Sequence, residues 1–210
     1  MSTIIDLSTA IYNNMFHYPD DIDVAVESNN FGYFNITNIS MCVHTGTHID
    51  TPLHCINGKP SAENIDLNRF IGKAYCIEIL YSDSYREIDF PKDFDFNIIK
   101  GYDILLIRTS WDKNINTQEY YNNFPYLSES FARKIIELNI KTIGIDSPSV
   151  DSIDSINTNF IHNILFTNDI CIVEGLVNLD KVTNKDFFFS AAPLKINGSD
   201  GSPTRAYAIL

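Results

Sequence analysis

The sequence predicts an α/β protein with a mixed, strand-rich sheet, and three observations support this class. Six short apolar runs are rich in β-branched residues and bounded by turn residues, which fits strands better than helices. Helical patterns are fewer than strand patterns. The strongest of them leads directly into a predicted strand, as expected of a domain in which helices cover a sheet.

The predicted strands lie along most of the chain after residue 33. They are FNITNISMCV (34–43), AYCIEIL (74–80), DILLIRT (103–109), KTIGID (141–146), DICIVEG (169–175) and DFFFSAA (186–192). The strongest helix is SESFARKIIELN, 128–139, because its apolar residues recur on one face after Ser128, a residue type favoured at the N-cap. A second candidate helix is SAENIDLNRF, 61–70.

Composition narrows the class of protein. The 210 residues are 44% hydrophobic and no repeat or linker divides them, so we expect one domain over 1–210 with a sizeable core. The net charge of −12 would repel phosphate backbones and anionic lipid headgroups, which argues against nucleic-acid and membrane partners.

The opening residues lack a secretory pattern, and no run approaches the ~20 apolar residues of a membrane span. We therefore expect a soluble, cytoplasmic protein.

Three of the five histidines fall within HTGTHIDTPLH, 44–54. A helix would place His44 and His48 on one face, as in HExxH zinc proteases. The glycine, the proline and the β-branched threonines disfavour a helix, and the glutamate of that motif is missing. In an extended chain, His44, His48 and Asp50 share one face instead. Two imidazoles and a carboxylate suit a divalent cation such as zinc or manganese, and three protein ligands leave a position open for water.

His54 follows the proline that redirects the chain, so it need not share the ligand face. Histidine exchanges protons near neutral pH, which makes this residue the candidate general acid/base. The alternative is that the histidines of this stretch only form hydrogen bonds in a core or lie on the surface. The neighbouring aspartate and the small spacer residues favour the metal site.

The roles of two further residues, Glu174 and His162, are not decided by the sequence pattern alone. Glu174 ends the predicted strand DICIVEG on the face of Ile170 and Ile172, where a charge is costly unless it is paired or binds a metal. The strand could equally end at Val173 and leave the carboxylate in solvent. His162, in NTNFIHNILF, could be an ordinary helix or loop histidine.

HTGTHIDTPLH resembles the HxGxHxDxPxH signature of the metal-dependent cyclase-like hydrolases, the family that includes bacterial kynurenine formamidase (arylformamidase) and isatin hydrolase. The opening IIDLSTAIYNNMFHYP is similar to the start of that family. Four further stretches of this chain resemble later blocks of that family and come in the same order: GYDILLIRTSW, IGIDSPSVD, CIVEGL and APLKINGSDGSPTRAYAIL. The resemblance implies a swivelling β/β/α fold and assembly as a homodimer or homotetramer.

The resemblance also implies roles for individual residues. The implied metal ligands are His44, His48, Asp50, His162 and Glu174. They would hold one or two ions per subunit, with zinc expected and manganese as the alternative, since both accept imidazole and carboxylate. His54 would be the catalytic acid/base.

The implied reaction is hydrolysis of a carbon–nitrogen amide bond, most concretely of N-formyl-kynurenine to kynurenine and formate. Formamidases of this family tend to carry a tryptophan before the proline of the first loop, whereas here Phe16, His17 and Tyr18 precede Pro19. We expect these three residues to shape an entrance for a small aromatic amide, with Tyr18 stacking on its ring. The alternatives are a cyclic amide or lactone such as isatin, or a metal-binding family member without turnover.

Overall fold

A long mixed sheet dominates the fold. The computed structural model describes residues 2–19, 21–82, 86–155 and 159–210. The strands in this part of the chain are β1 (Ile4–Asp6), β2 (Ala25–Asn30), β3 (Asn35–Ser40), β4 (His48–Asp50), β5 (Ile71–Glu78), β6 (Glu87–Ile88), β7 (Ile104–Arg108), β8 (Tyr126–Leu127), β9 (Thr142–Ile145), β10 (Cys171–Glu174), β11 (Asp186–Ser190), β12 (Gly201–Pro203) and β13 (Tyr207–Ile209). The α-helices in the same ranges are α1 (Glu129–Glu137) and α2 (Phe160–Thr167).

Nine of these strands form one sheet in the order β1-β13-β11-β5-β7-β9-β10-β4-β12. Its central strands β5, β7, β9 and β10 run parallel to one another. The strands on either side pair antiparallel, so the sheet is mixed and the predicted α/β class is confirmed. The pairs β2–β3 and β6–β8 form two separate small sheets.

Most of the predicted elements are confirmed. Five of the six apolar runs contain a strand, namely β3, β7, β9, β10 and β11. The run 74–80 overlaps β5, which begins three residues earlier and ends at Glu78. Helix α1 begins directly after Ser128, whose hydroxyl accepts a hydrogen bond of 3.0 Å from the backbone N–H of Phe131, as an N-cap serine should. Helix α2 had no strong sequence pattern because its eight residues FIHNILFT are apolar around much of the circumference.

The predicted helix over 61–70 is wrong. The segment forms two short 3-10 turns, Ala62–Asn64 and Leu67–Arg69, separated by extended backbone at Ile65 and Asp66. The carboxylate of Asp66 accepts the backbone N–H of Asn68 at 3.0 Å and so caps the second turn. This local bond competes with a continuous helix, which is the usual effect of aspartate within a helical pattern.

The core lies on both faces of the sheet. Along β7, Leu105 and Ile107 pack with α1 and α2 on one face, while Ile104 and Leu106 face a second apolar cluster on the other. Ile172 of β10 belongs to the helix-covered face. Because side chains alternate along a strand, the last residue of β10 points to that same face. In the part of the chain that is described, neither helix is long and apolar enough to cross a membrane.

Candidate metal centre

Strand β4 carries the central ligands to one end of β10. It pairs antiparallel with β10, so that His48 lies opposite Glu174. Directly opposed residues in an antiparallel pair point to the same face, which brings the two side chains together. The strand therefore extends to Glu174, a buried residue with 3% of its surface exposed. The alternative of a solvated glutamate after Val173 is wrong.

The extended conformation predicted for all of 44–50 holds only for His48–Asp50. The preceding residues form a turn in which Gly46 has φ +70°, a conformation that residues with a Cβ rarely adopt. The turn still directs the His44 imidazole at Asp50, with 2.7 Å between Nδ1 and Oδ1. The juxtaposition of His44, His48 and Asp50 thus comes from a turn followed by a strand.

Two groups of donor atoms meet at Asp50. Its Oδ1 lies 2.7 Å from His44 Nδ1 and 3.3 Å from His48 Nε2. Its Oδ2 lies 3.5 Å from His162 Nε2, which is also 3.5 Å from Oε1 of Glu174. The other oxygen of Glu174 lies 3.6 Å from His48 Nε2. Within each group the atoms are no more than 4.8 Å apart, so each could hold a divalent ion with Asp50 between them.

Hydrogen bonds behind the centre fix which nitrogen of each buried imidazole faces it. Nδ1 of His48 donates to the carbonyl oxygen of Gly46 at 3.0 Å. Nδ1 of His162 lies 2.6 Å from Oδ2 of Asp151, which also accepts the backbone N–H of His162 at 3.1 Å. Both Nε2 atoms are left as acceptors for a metal, as in metal sites whose outer partners fix the tautomer of the ligand histidine.

The electrostatics of this centre fit a cation. Burial opposes ionisation of Asp50, but the charges of His48 and His44 outweigh it and hold the pKa of the carboxyl well below its usual range. Burial likewise disfavours the charged form of His162, yet its hydrogen bonds to Asp151, Asp50 and Glu174 raise the pKa of the imidazole. Protons on the imidazoles thus balance buried carboxylates, and a divalent cation would take the place of those protons.

His54 and Asp200 lie beside the donor groups. His54 ends a 3-10 turn, Pro52–His54, and its Nδ1 lies 3.1 Å from Oδ2 of Asp200. The same oxygen accepts from Nε2 of His44 at 2.9 Å. These two hydrogen bonds hold the pKa of Asp200 well below its usual range, and the bond from His44 has the larger effect.

Sequence reasoning missed Asp200. It directly precedes β12, whose Gly201 pairs with Asp50, and this pairing alone brings it to the centre. The aspartate of NGSDGSP looks like an ordinary turn residue by its neighbours. Nothing in its spacing from the histidines of 44–54 indicates the contact.

A cavity of about 230 Å³ opens next to the metal centre. Its lining includes the metal-site residues and His54, together with Tyr18, Tyr120 and Tyr121. Tyr18 packs edge-on against Tyr121 with 5.9 Å between the ring centroids. A cavity lined by three tyrosines beside a charged centre suits a ligand with a flat apolar ring and one polar reacting group.

The three residues predicted to bind substrate are placed differently from one another. Tyr18 lines the cavity. Phe16 is exposed and is not among the lining residues, although its carbonyl oxygen accepts the Tyr121 hydroxyl at 3.2 Å. His17 is turned to Asp23, with 3.3 Å between Nε2 and Oδ1, and also lies off the cavity wall.

A family comparison agrees with this geometry. The family described as "Putative cyclase" matches residues 5–152. The chain belongs to the cyclase family. The resemblance drawn from HTGTHIDTPLH is therefore confirmed.

Proteins with assigned names match nearly the whole chain. A kynurenine formamidase of Bacillus mycoides (strain KBAB4) is 33% identical over 206 residues, which is 96% of this chain and 95% of the relative. A solved "predicted metal-dependent hydrolase" of Bacillus stearothermophilus is 28% identical, with a TM-score of 0.81 over 100% of this chain and 98% of that one. Isatin hydrolase A of Labrenzia aggregata, at 24% identity, shares the fold with a TM-score of 0.78 over 100% of this chain and 94% of that one.

We expect Gly175→Ala to destabilise the protein and loosen the metal centre. Gly175 has φ +65°, and a Cβ there would overlap the carbonyl oxygen of Gly46, the acceptor that orients His48. The matched control is Gly58→Ala, at φ +78° with no atom within 4 Å of the added Cβ. Gly175→Ala should lose about 1–3 kcal/mol more in free energy of unfolding than the control, because it adds a backbone clash to the same strain. Equal losses in urea unfolding would contradict this.

A pH effect on stability is expected from Asp146. Burial raises the pKa of its carboxyl to about 7, against hydrogen bonds from the backbone N–H groups of Thr109 and Ser110. Because this pKa lies above that of the unfolded chain, protonated Asp146 contributes fully to the free energy of unfolding below pH ~4. The contribution is lost as pH rises to ~7, at no more than about 1.4 kcal/mol per pH unit. The stability advantage of the metal-free wild type over Asp146→Asn should therefore shrink between pH 5 and 8 in urea unfolding. A constant difference would contradict the assignment.

Proposed function

We propose that this chain is a metal-dependent hydrolase of a carbon–nitrogen amide bond, with N-formyl-kynurenine as its substrate and kynurenine and formate as products. One observation carries the proposal. A buried set of imidazole and carboxylate donors opens onto a cavity that three tyrosines also line. Relatives that carry the name kynurenine formamidase cover nearly the whole chain, which supports this substrate over other aromatic amides.

The metal is proposed to be zinc, with manganese as the alternative that the same donors accept. One ion would be held by His44, His48 and Asp50, and a second by Asp50, His162 and Glu174. When bound, such a metal supplies Lewis-acid polarisation of the formyl carbonyl and lowers the pKa of a water towards ~7.

His54 is proposed to move the protons of the reaction. Its hydrogen bond to Asp200 occupies Nδ1, Nε2 has no hydrogen-bond partner among the described residues, and the ring lines the cavity. It would take a proton from the attacking water and return one to the aniline nitrogen as the carbon–nitrogen bond breaks. The side chain of His54 is 29% exposed, so it can exchange protons with the cavity, whereas His48 and His162 are enclosed.

The phenol rings would hold the aromatic ring of the substrate. Burial, with the nearby charge of Glu174, raises the pKa of the Tyr18 hydroxyl to about 12, so this side chain stays neutral at physiological pH. Neutral Tyr18, Tyr120 and Tyr121 offer apolar ring faces beside the reacting formamide.

The proposal is tested by assaying metal-replete protein on N-formyl-kynurenine and on isatin, with elemental analysis of the same sample. We expect hydrolysis of the formamide at a rate that falls after chelation and returns with zinc or manganese. Turnover of isatin alone would replace the substrate assignment with a cyclic amide. Stoichiometric metal without turnover of either compound would contradict the enzyme assignment.

A further inference from the structure

Among the described residues that line the cavity, Asp21 is the one carboxylate that belongs to neither donor group of the metal centre. The other lining carboxylates, Asp50 and Glu174, face the histidines at distances of 2.7 to 3.6 Å. Asp21 comes from the first loop, far in sequence from the strands and helix that build the centre. Its side-chain hydrogen-bond partner is the thiol of Cys42, whose pKa is raised by burial, so the thiol stays neutral and the charge of Asp21 is available to a ligand in the cavity.

The surroundings of Asp21 are aromatic. Its backbone N–H donates to the carbonyl oxygen of Tyr18 at 3.2 Å, and both residues line the cavity. The ring of Tyr18 packs against Tyr121, which lines the cavity as well. A carboxylate next to aromatic faces is the combination that attracts an organic ammonium group, through ion pairing and cation–π contact.

Basic side chains do not compete for Asp21 in the cavity. Of the described residues that line it, none is a lysine or an arginine. An anionic ligand group would find no permanent cation there apart from the metal centre, whereas an ammonium group would find Asp21. The neutral side chains of Ser149 and Asn159 also line the cavity, so a carboxylate next to that ammonium has polar neighbours other than Asp21.

We propose that Asp21 selects substrates that carry an ammonium group, binding the α-ammonium of an amino acid while the aromatic ring lies against the tyrosines. The inference rests on the proposed function, since it names the part of the N-formyl-kynurenine molecule that Asp21 recognises. Recognition by Asp21 makes this chain specific for an aryl formamide that is also an amino acid, over formanilides that lack the α-amine.

The test compares binding of two ligands to the metal-replete protein by calorimetry. The probes are kynurenine and its analogue in which hydrogen replaces the α-amino group. Wild type should bind kynurenine about tenfold more tightly than the analogue, and Asp21→Asn should bring the two affinities within about twofold of each other. The matched control is Asp23→Asn, because Asp23 is 94% exposed and bonds only to His17 among the described contacts, away from the cavity. It should keep the wild-type preference.

Equal binding of the two probes by wild type, a preference that survives in Asp21→Asn, or no binding of kynurenine at millimolar concentration would each overturn the inference. Hydrolysis of N-formyl-kynurenine is measured on the same samples. If wild type prefers kynurenine through Asp21 but cleaves no formamide, the proposed function fails and the recognition of ammonium stands. If it cleaves the formamide without this preference, the reverse holds.

Discussion

Asp50→Asn is expected to lose bound metal and to lower kcat/KM for N-formyl-kynurenine by at least about 1000-fold, because several kcal/mol of metal catalysis disappear. Asp50 is the residue that both donor groups share, with Oδ1 2.7 Å from His44 Nδ1 and Oδ2 3.5 Å from His162 Nε2. An amide keeps the size of the side chain but removes the negative charge and one acceptor oxygen. Elemental analysis and the hydrolysis rate measure the two losses.

The control for Asp50→Asn is the same exchange at Asp66, an exposed residue that caps a 3-10 turn away from the centre. We expect Asp66→Asn to keep its metal and its activity. Full metal occupancy in Asp50→Asn would show that the ion binds at a site that does not use Asp50. Loss of metal in both variants would point to general unfolding, which circular dichroism of each protein separates from a local effect.

His54→Ala is expected to reduce kcat by about 10²- to 10⁴-fold while leaving the metal content unchanged, since a positioned general acid/base contributes this much. The expectation follows from its place beside the donor groups, at 3.1 Å from Asp200, and from its position on the cavity wall. Single-turnover hydrolysis and elemental analysis on the same protein give both values. If the variant loses its metal, His54 is a ligand and the proton carrier must be sought elsewhere.

Asp200→Asn serves as the comparison for His54→Ala. An outer partner of a functional histidine contributes about 10- to 100-fold, so the fall in kcat should be smaller than for His54→Ala. Because Asp200 touches His54 and His44 through one oxygen, KM should change little if it acts by orienting His54. A large loss of metal in Asp200→Asn would assign its main effect to His44.

The fold class could be predicted because the apolar runs of the central strands are short, β-branched and bounded by turn residues. Their short length, β-branched residues and flanking turn residues favour a buried strand over a buried helix, and these features are local to each run. The segment 61–70 was harder, because the carboxylate of Asp66 bonds to a nearby backbone N–H and stops the helix locally. Helix α2 was missed for the opposite reason, since an all-round apolar segment has no period to detect.

The sequence by itself determined the strand-rich α/β class and the family through HTGTHIDTPLH, because the motif holds most of its donors within eleven residues of chain. It left His162 and Glu174 undecided on pattern. Only the tertiary structure brought them to Asp50, since β4 pairs with β10 more than a hundred residues further along the chain. The same physical reason hid Asp200: β12 pairs with the other edge of β4, and contacts made by strand pairing leave no mark on local sequence.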